Sequence, residues 1–183
     1  MVYKKKEFFY ILGFLMALIV TLSNYLVQFP VKYKGLDDLL TYGALTYPVA
    51  FLITDLANRK YGKDVAKKIV YIGFILGVAI TLFFSTDFSN LISKRIAIGS
   101  GIAFLTAQLI DVQVFDRLRK KIWFVAPLAS SLIGSTVDTF LFFSIAFYGT
   151  GLNWIALSLG DLFIKIFVAI IMLIPFKILL SRI

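Results

Sequence analysis

Six stretches of this 183-residue chain are so continuously apolar that membrane-crossing helices are the simplest way to satisfy their backbones. They cover residues 8–29, 39–56, 69–84, 96–115, 122–148 and 152–176. Most reach the roughly 20 residues that about 30 Å of hydrocarbon demands of a helix. The third is short, but Lys67 and Lys68 can snorkel at one end while residues 87–89 sit at the other. Strands of a membrane barrel would alternate apolar and polar residues over about ten positions, and no segment does so. The expected fold is an all-α integral membrane protein, one domain over residues 1–183 with six transmembrane helices. Lys4, Lys5 and Lys6 precede the first run as in a signal peptide. That run is too long for one, and no small-residue cleavage pattern follows, so it reads as a retained span.

The charge distribution orients the bundle. Lys and Arg number fourteen before the first span, between spans two and three, between four and five, and at the C-terminus; the other connections hold four. That bias places both termini in the cytoplasm. The net charge of +9 therefore reports topology, and no nucleic-acid partner is expected. The chain has no Cys and no His, which excludes thiol nucleophiles, disulfides and imidazole ligands. Its acids are scattered, so neither catalytic residues nor a cofactor or metal site is expected. Residues 1–84 and 96–183 each supply three spans of opposite starting orientation, which permits an inverted repeat. Oligomeric state stays open, a homo-oligomer included.

Five charged residues lie inside the apolar runs: Asp55, Asp111, Asp138, Asp161 and Lys165. Each costs roughly 2.5–3.5 kcal/mol at a span centre even on a lenient insertion scale, so they must pair, line a cavity or do work. On the first span Thr21, Asn24 and Gln28 share one face, either cross-linking helices or meeting a solute. Pro48 frees a backbone carbonyl on the second span, seven residues before Asp55. Asp55 has Arg59 one turn later as its economical partner. Gln108 and Asp111 share a face of the fourth span, with Arg117 and Arg119 in the following connection. Ser131, Ser135 and Asp138 form a stripe through the fifth span, Asp138 lying about 24 Å along it. On the sixth, Ser158, Asp161 and Lys165 share a face. An intrahelical Asp161–Lys165 pair is the cheapest reading, and a Lys165–Asp138 pair across the bundle is the rival. Gly73-x-x-x-Gly77 reads as close helix packing.

Two stretches carry a resemblance: Tyr47-Pro48-Val49-Ala50-Phe51-Leu52-Ile53-Thr54-Asp55 through Gly62, and Ala107-Gln108-Leu109-Ile110-Asp111-Val112 followed by Gly134-Ser135-Thr136-Val137-Asp138-Thr139. Together they resemble the queuosine precursor transporter family, also called the vitamin uptake transporters, over residues 40–150. The resemblance implies a small bacterial inner-membrane importer of 7-deazaguanine bases, with Asp55, Gln108, Asp111, Ser135 and Asp138 at motif positions. Arg59 stands where many members have glutamate. The expected substrate-binding residues are Asn24, Asp55, Gln108, Asp111, Ser131, Ser135, Asp138, Asp161 and Lys165. Asn24, Gln108, Asp138 and Lys165 are expected to face one cavity. The alternative is a substrate-binding subunit of an energy-coupling-factor transporter, docking through Gly13-x-x-x-Ala17. An intramembrane enzyme would lack any nucleophile–base pair here.

Overall fold

The computed structural model describes residues 2–27, 29, 31–32, 41–84 and 86–181, with side chains from residue 9 onward. Gln28, Lys34, Arg182 and the start of the second apolar run lie outside the described residues, as do the side chains of Lys4, Lys5 and Lys6. All regular elements described are helices: α1 (Val2–Leu26), α2 (Gly43–Thr46), α3 (Pro48–Tyr61), α4 (Lys63–Phe84), α5 (Leu91–Leu118), α6 (Val125–Phe147) and α7 (Trp154–Leu180).

Five of these, α1 and α4 to α7, are long and apolar enough to cross a membrane. The second expected span differs. It is divided at Tyr47, because Pro48 at the first position of α3 has no N–H to continue the hydrogen-bond ladder of α2. The helices also extend past their apolar cores. Arg59, Lys60, Lys63, Lys67 and Lys68 sit on helix ends rather than in a loop, since the connection from α3 to α4 is Gly62 alone. Its φ of +88° is the left-handed conformation that glycine adopts without a Cβ penalty. Asn90 caps α5 by accepting from the Ile92 and Ser93 N–H groups, and Asn153 caps α7 through the Ala156 N–H.

Packing follows the membrane rule that small residues bring backbones close. On α4 a Cβ at residue 73 would lie 2.1 Å from Met16 Cγ, and one at residue 77 would lie 2.7 Å from Val20 Cγ1. Gly73-x-x-x-Gly77 is thus a seat for α1. Gly13 faces Ile72 in the same interface and Ala17 is buried, so this face of α1 is taken by the protein's own α4. Outward faces are apolar: α7 turns Phe163, Phe167, Ile170 and Ile174 outward and Ser158, Asp161 and Lys165 inward. A polar interior beneath an apolar surface is the arrangement a bilayer solvent selects.

The cross-links reveal helix directions. Thr54 donates to Gln108 Oε1 at 2.6 Å and Asn58 Nδ2 to the Val112 carbonyl at 2.9 Å, the same offset twice, so α3 and α5 run in one direction. Asn24 Nδ2 donates to Thr81 Oγ1 at 3.0 Å in register with the Met16–Gly73 contact, so α1 and α4 also run together. Arg95 Nε donates to the Ile145 carbonyl at 2.9 Å while Asp111 packs near Gly134, so α5 and α6 are antiparallel.

Candidate functional site

Burial without compensation is costly for any charge, and the interior resolves this in two different ways. In the first, Lys165 on α7 reaches three acceptors. Its Nζ lies 2.6 Å from Asp161 Oδ2, 2.9 Å from Asp138 Oδ2 on α6 and 3.1 Å from Thr139 Oγ1. Thr139 donates in turn to Asp161 Oδ2 at 2.9 Å. Both pairing readings of the sequence hold at once, and all three donors of the ammonium are used. Asp138, Asp161 and Lys165 are 3%, 3% and 4% exposed.

This triad forms one wall of a small, partly open cavity between the helices. Ser23, Asn24, Val27, Gly43, Tyr47, Ser100 and Phe142 complete its lining. Lys165 Nζ sits 5.0 Å from the centroid of the Tyr47 ring, a cation–π contact. The Tyr47 hydroxyl is buried beside the Asp138 carboxyl, short of a full hydrogen bond. Asn24 is held by Thr81 and by the Ser100 hydroxyl, which donates to its Oδ1. Behind that bridge lies a small recess lined by Thr81, Thr86, Ser93, Ile96 and Ala97 that shares Asn24 and Ser100 with the cavity. Ser23, Val27, Gly43, Tyr47, Ser100 and Phe142 were missed as lining residues. Ser100 had a signal: it lies eleven residues, or three turns, before Asp111 and so on the same face of α5. Tyr47 had none, among so many aromatics.

Deeper along α3, Asp55 and Asp111 meet in the second arrangement. They lie between the Thr54–Gln108 and Asn58–Val112 bonds that join α3 to α5, and both are buried. Ser130 Oγ is 3.2 Å from Asp55 Oδ1, while neither oxygen of Asp111 receives a hydrogen bond. The expected ion pairs with arginine do not form. Arg59 instead donates to the Arg119 carbonyl at 2.6 Å and to the Trp123 carbonyl at 3.4 Å, and Arg119 returns a bond to the Arg59 carbonyl at 2.7 Å. The guanidinium of Arg59 also lies 5.3 Å from the Phe115 ring centroid. Carbonyls at the helix ends draw the arginines away because they offer acceptors outside the apolar layer.

The nine expected site residues therefore divide. Asn24, Asp138, Asp161 and Lys165 line the first cavity. Asp55 and Ser131 line a second, smaller one with Pro48, Pro127 and Phe176. Asp111 stands against Asp55. Gln108 and Ser135 are buried but line neither cavity; Gln108 is bonded through Oε1 to Thr54, while its Nε2 and Ser135 Oγ have no partner among the described residues. The expectation that Gln108 joins Asn24, Asp138 and Lys165 in one cavity is corrected, because Thr54 holds it in the α3–α5 interface.

Comparison with known proteins gives a consistent set of relatives. The family described as "Putative vitamin uptake transporter" matches residues 41–180. The chain is 39% identical to the "Probable queuosine precursor transporter" of Haemophilus influenzae, covering 90% of this chain and 82% of the relative. It is 36% identical to the "Queuosine precursor transporter" of Escherichia coli, covering 86% and 79%. A third relative, the "Probable queuosine precursor transporter" of Bacillus subtilis, is 30% identical over 73% and 68%. No solved structure matches the chain.

Proposed function

The chain belongs to the queuosine precursor transporter family, the vitamin uptake transporters, and from that premise we propose that it imports a 7-deazaguanine base across the bacterial inner membrane. The observation that carries the reading is the Asp138–Lys165–Asp161 triad on the wall of a cavity between apolar-surfaced helices. A guanine-like edge offers N1–H and the 2-amino group as adjacent donors. Asp138 retains acceptor capacity for them, because Lys165 uses one lone pair of a carboxylate that has about four. Tyr47 and Phe142 supply aromatic faces for a flat heterocycle, and Lys165 holds the carboxylate in place.

In this reading the chain crosses six times, residues 43–61 forming the broken second crossing, with both termini in the cytoplasm. The two groups of three crossings then have opposite orientation. Cysteines introduced at Lys63 and Lys120 are expected to react with impermeant reagent only from the cytoplasm, and one at Gly151 only from outside. Any crossed pattern rejects the orientation.

The direct test is uptake. Purified protein in liposomes is expected to equilibrate labelled 7-cyano- or 7-aminomethyl-7-deazaguanine without any ATPase. Uptake only after addition of an ATPase module would favour a dependent subunit. The burial of Gly13 and Ala17 against α4 speaks against docking through that face.

A further inference from the structure

We infer that Asp55 and Asp111 share one proton and form the coupling-ion site of this transporter, separate from the cavity that holds the base. The inference rests on the transport reading for its role, and on geometry for its chemistry. Asp55 and Asp111 are buried between the two hydrogen bonds that fix α3 against α5, and neighbouring carboxyls are mutual acceptors until a proton turns one into a donor.

The surroundings offer no other solution. From α3 the next charge is Arg59, which is turned to the Arg119 and Trp123 carbonyls. From α5 come Asp111 and Gln108, the latter held through Oε1 by Thr54. α6 contributes Ser130, Ser131 and the close approach of Gly134, whose added Cβ would lie 3.4 Å from Asp111 Cβ. Ser130 has one proton for two acceptors, Asp55 Oδ1 and the Pro127 carbonyl at 3.3 Å. α7 adds Ala169, Met172, Leu173 and Phe176 around the adjoining cavity. Among the described residues no ion pair reaches either carboxyl, whereas both other interior acids are paired with Lys165. Both oxygens of Asp111 are buried without a full hydrogen bond, the nearby Ser130 hydroxyl being shared with Asp55 and Pro127, a state that proteins rarely retain without a ligand to complete it.

Position suits coupling. The Thr54–Gln108 and Asn58–Val112 bonds flank the pair and fix α3 against α5 in the register that brings the two acids together. α3 begins next to Tyr47 of the base cavity and continues to Asp55, and α6 carries both Ser131 and Asp138. The second cavity borders Asp55 and Ser131. Over one cycle the pair takes a proton from external water and returns it to cytoplasmic water, moving from two carboxylates to one carboxylate and one carboxylic acid and back.

The experiment uses Asp111→Asn and Asp55→Asn, each of which supplies a permanent amide donor in place of the exchangeable proton. In liposomes with the membrane potential clamped at zero, one unit of inside-alkaline pH difference supports about tenfold accumulation at one proton per base. The wild type is expected to reach that ratio with labelled 7-cyano-7-deazaguanine. Both variants are expected to exchange internal for external base yet accumulate none. Accumulation by either variant at the wild-type ratio overturns the proposal, as does a wild type that exchanges base but ignores the pH difference. Infrared difference spectra of the base-free protein give a second reading. A carbonyl band of a protonated carboxyl, present in the wild type and missing from both variants, supports the proton site even if no deazaguanine is transported. Its absence from the wild type overturns the site whatever the substrate.

Discussion

Asp138→Asn is expected to lower affinity for the deazaguanine by some 30-fold to several-thousand-fold, the loss of a buried charged hydrogen-bonding partner costing about 2–5 kcal/mol. The geometry fixes the direction of the effect. Lys165 Nζ needs an acceptor at the position of Oδ2, 2.9 Å away, so the new amide must turn its oxygen there. Its NH2 then takes the place of Oδ1 and confronts the donors of the base. Asp138→Glu also binds poorly, because an extra methylene shifts the carboxylate within a packed bundle. Asp87→Asn serves as the control, since Asp87 lies in the exposed α4–α5 connection, where its carboxylate accepts from Ser89 N–H and Oγ. Binding is measured on purified protein after melting temperatures establish equal folding. Wild-type affinity in Asp138→Asn would remove the residue from the site.

Lys165→Met is expected to be the most destabilising single change in the interior. It leaves Asp138 and Asp161 facing each other with no cation, and breaking a buried pair from one side costs about 3–5 kcal/mol. For a chain of this size that is a fall in Tm on the order of 10 °C. The companion double variant Lys165→Met/Asp161→Asn removes one of the orphaned charges as well, and is expected to recover much of the loss. Such non-additivity is the signature of a coupled cluster. A double variant no more stable than Lys165→Met alone would show that packing of the lysine stem, rather than its charge, holds α6 to α7.

Hydropathy made the helices legible because apolar length is a one-dimensional property. The spans of α1 and α4 to α7 follow from it directly. The break at Tyr47 was half legible: Pro48 marked a freed carbonyl, but not that it would begin a new helix. Spacing also revealed the Asp161–Lys165 pair, because i and i+4 meet on any helix. The Asp55–Asp111 contact could not be read this way. It joins residues on different helices, and it depends on the rotation of α3 against α5, which Thr54 and Asn58 set through long-range bonds. Arg59 supplied a cheaper local partner on paper. Only the pull of the Arg119 and Trp123 carbonyls on its guanidinium shows why that partner is not used.

The clamp between Arg59 and Arg119 has an unusual response to ionic strength. A bridge of opposite charges loosens as salt is added, because screening removes the attraction that holds it. Here two like charges are tied through neutral carbonyl oxygens. Screening removes their repulsion and leaves the hydrogen bonds in place. This end of the bundle therefore tightens in high salt, and a glutamate at position 59, paired with Arg119, would reverse the sign.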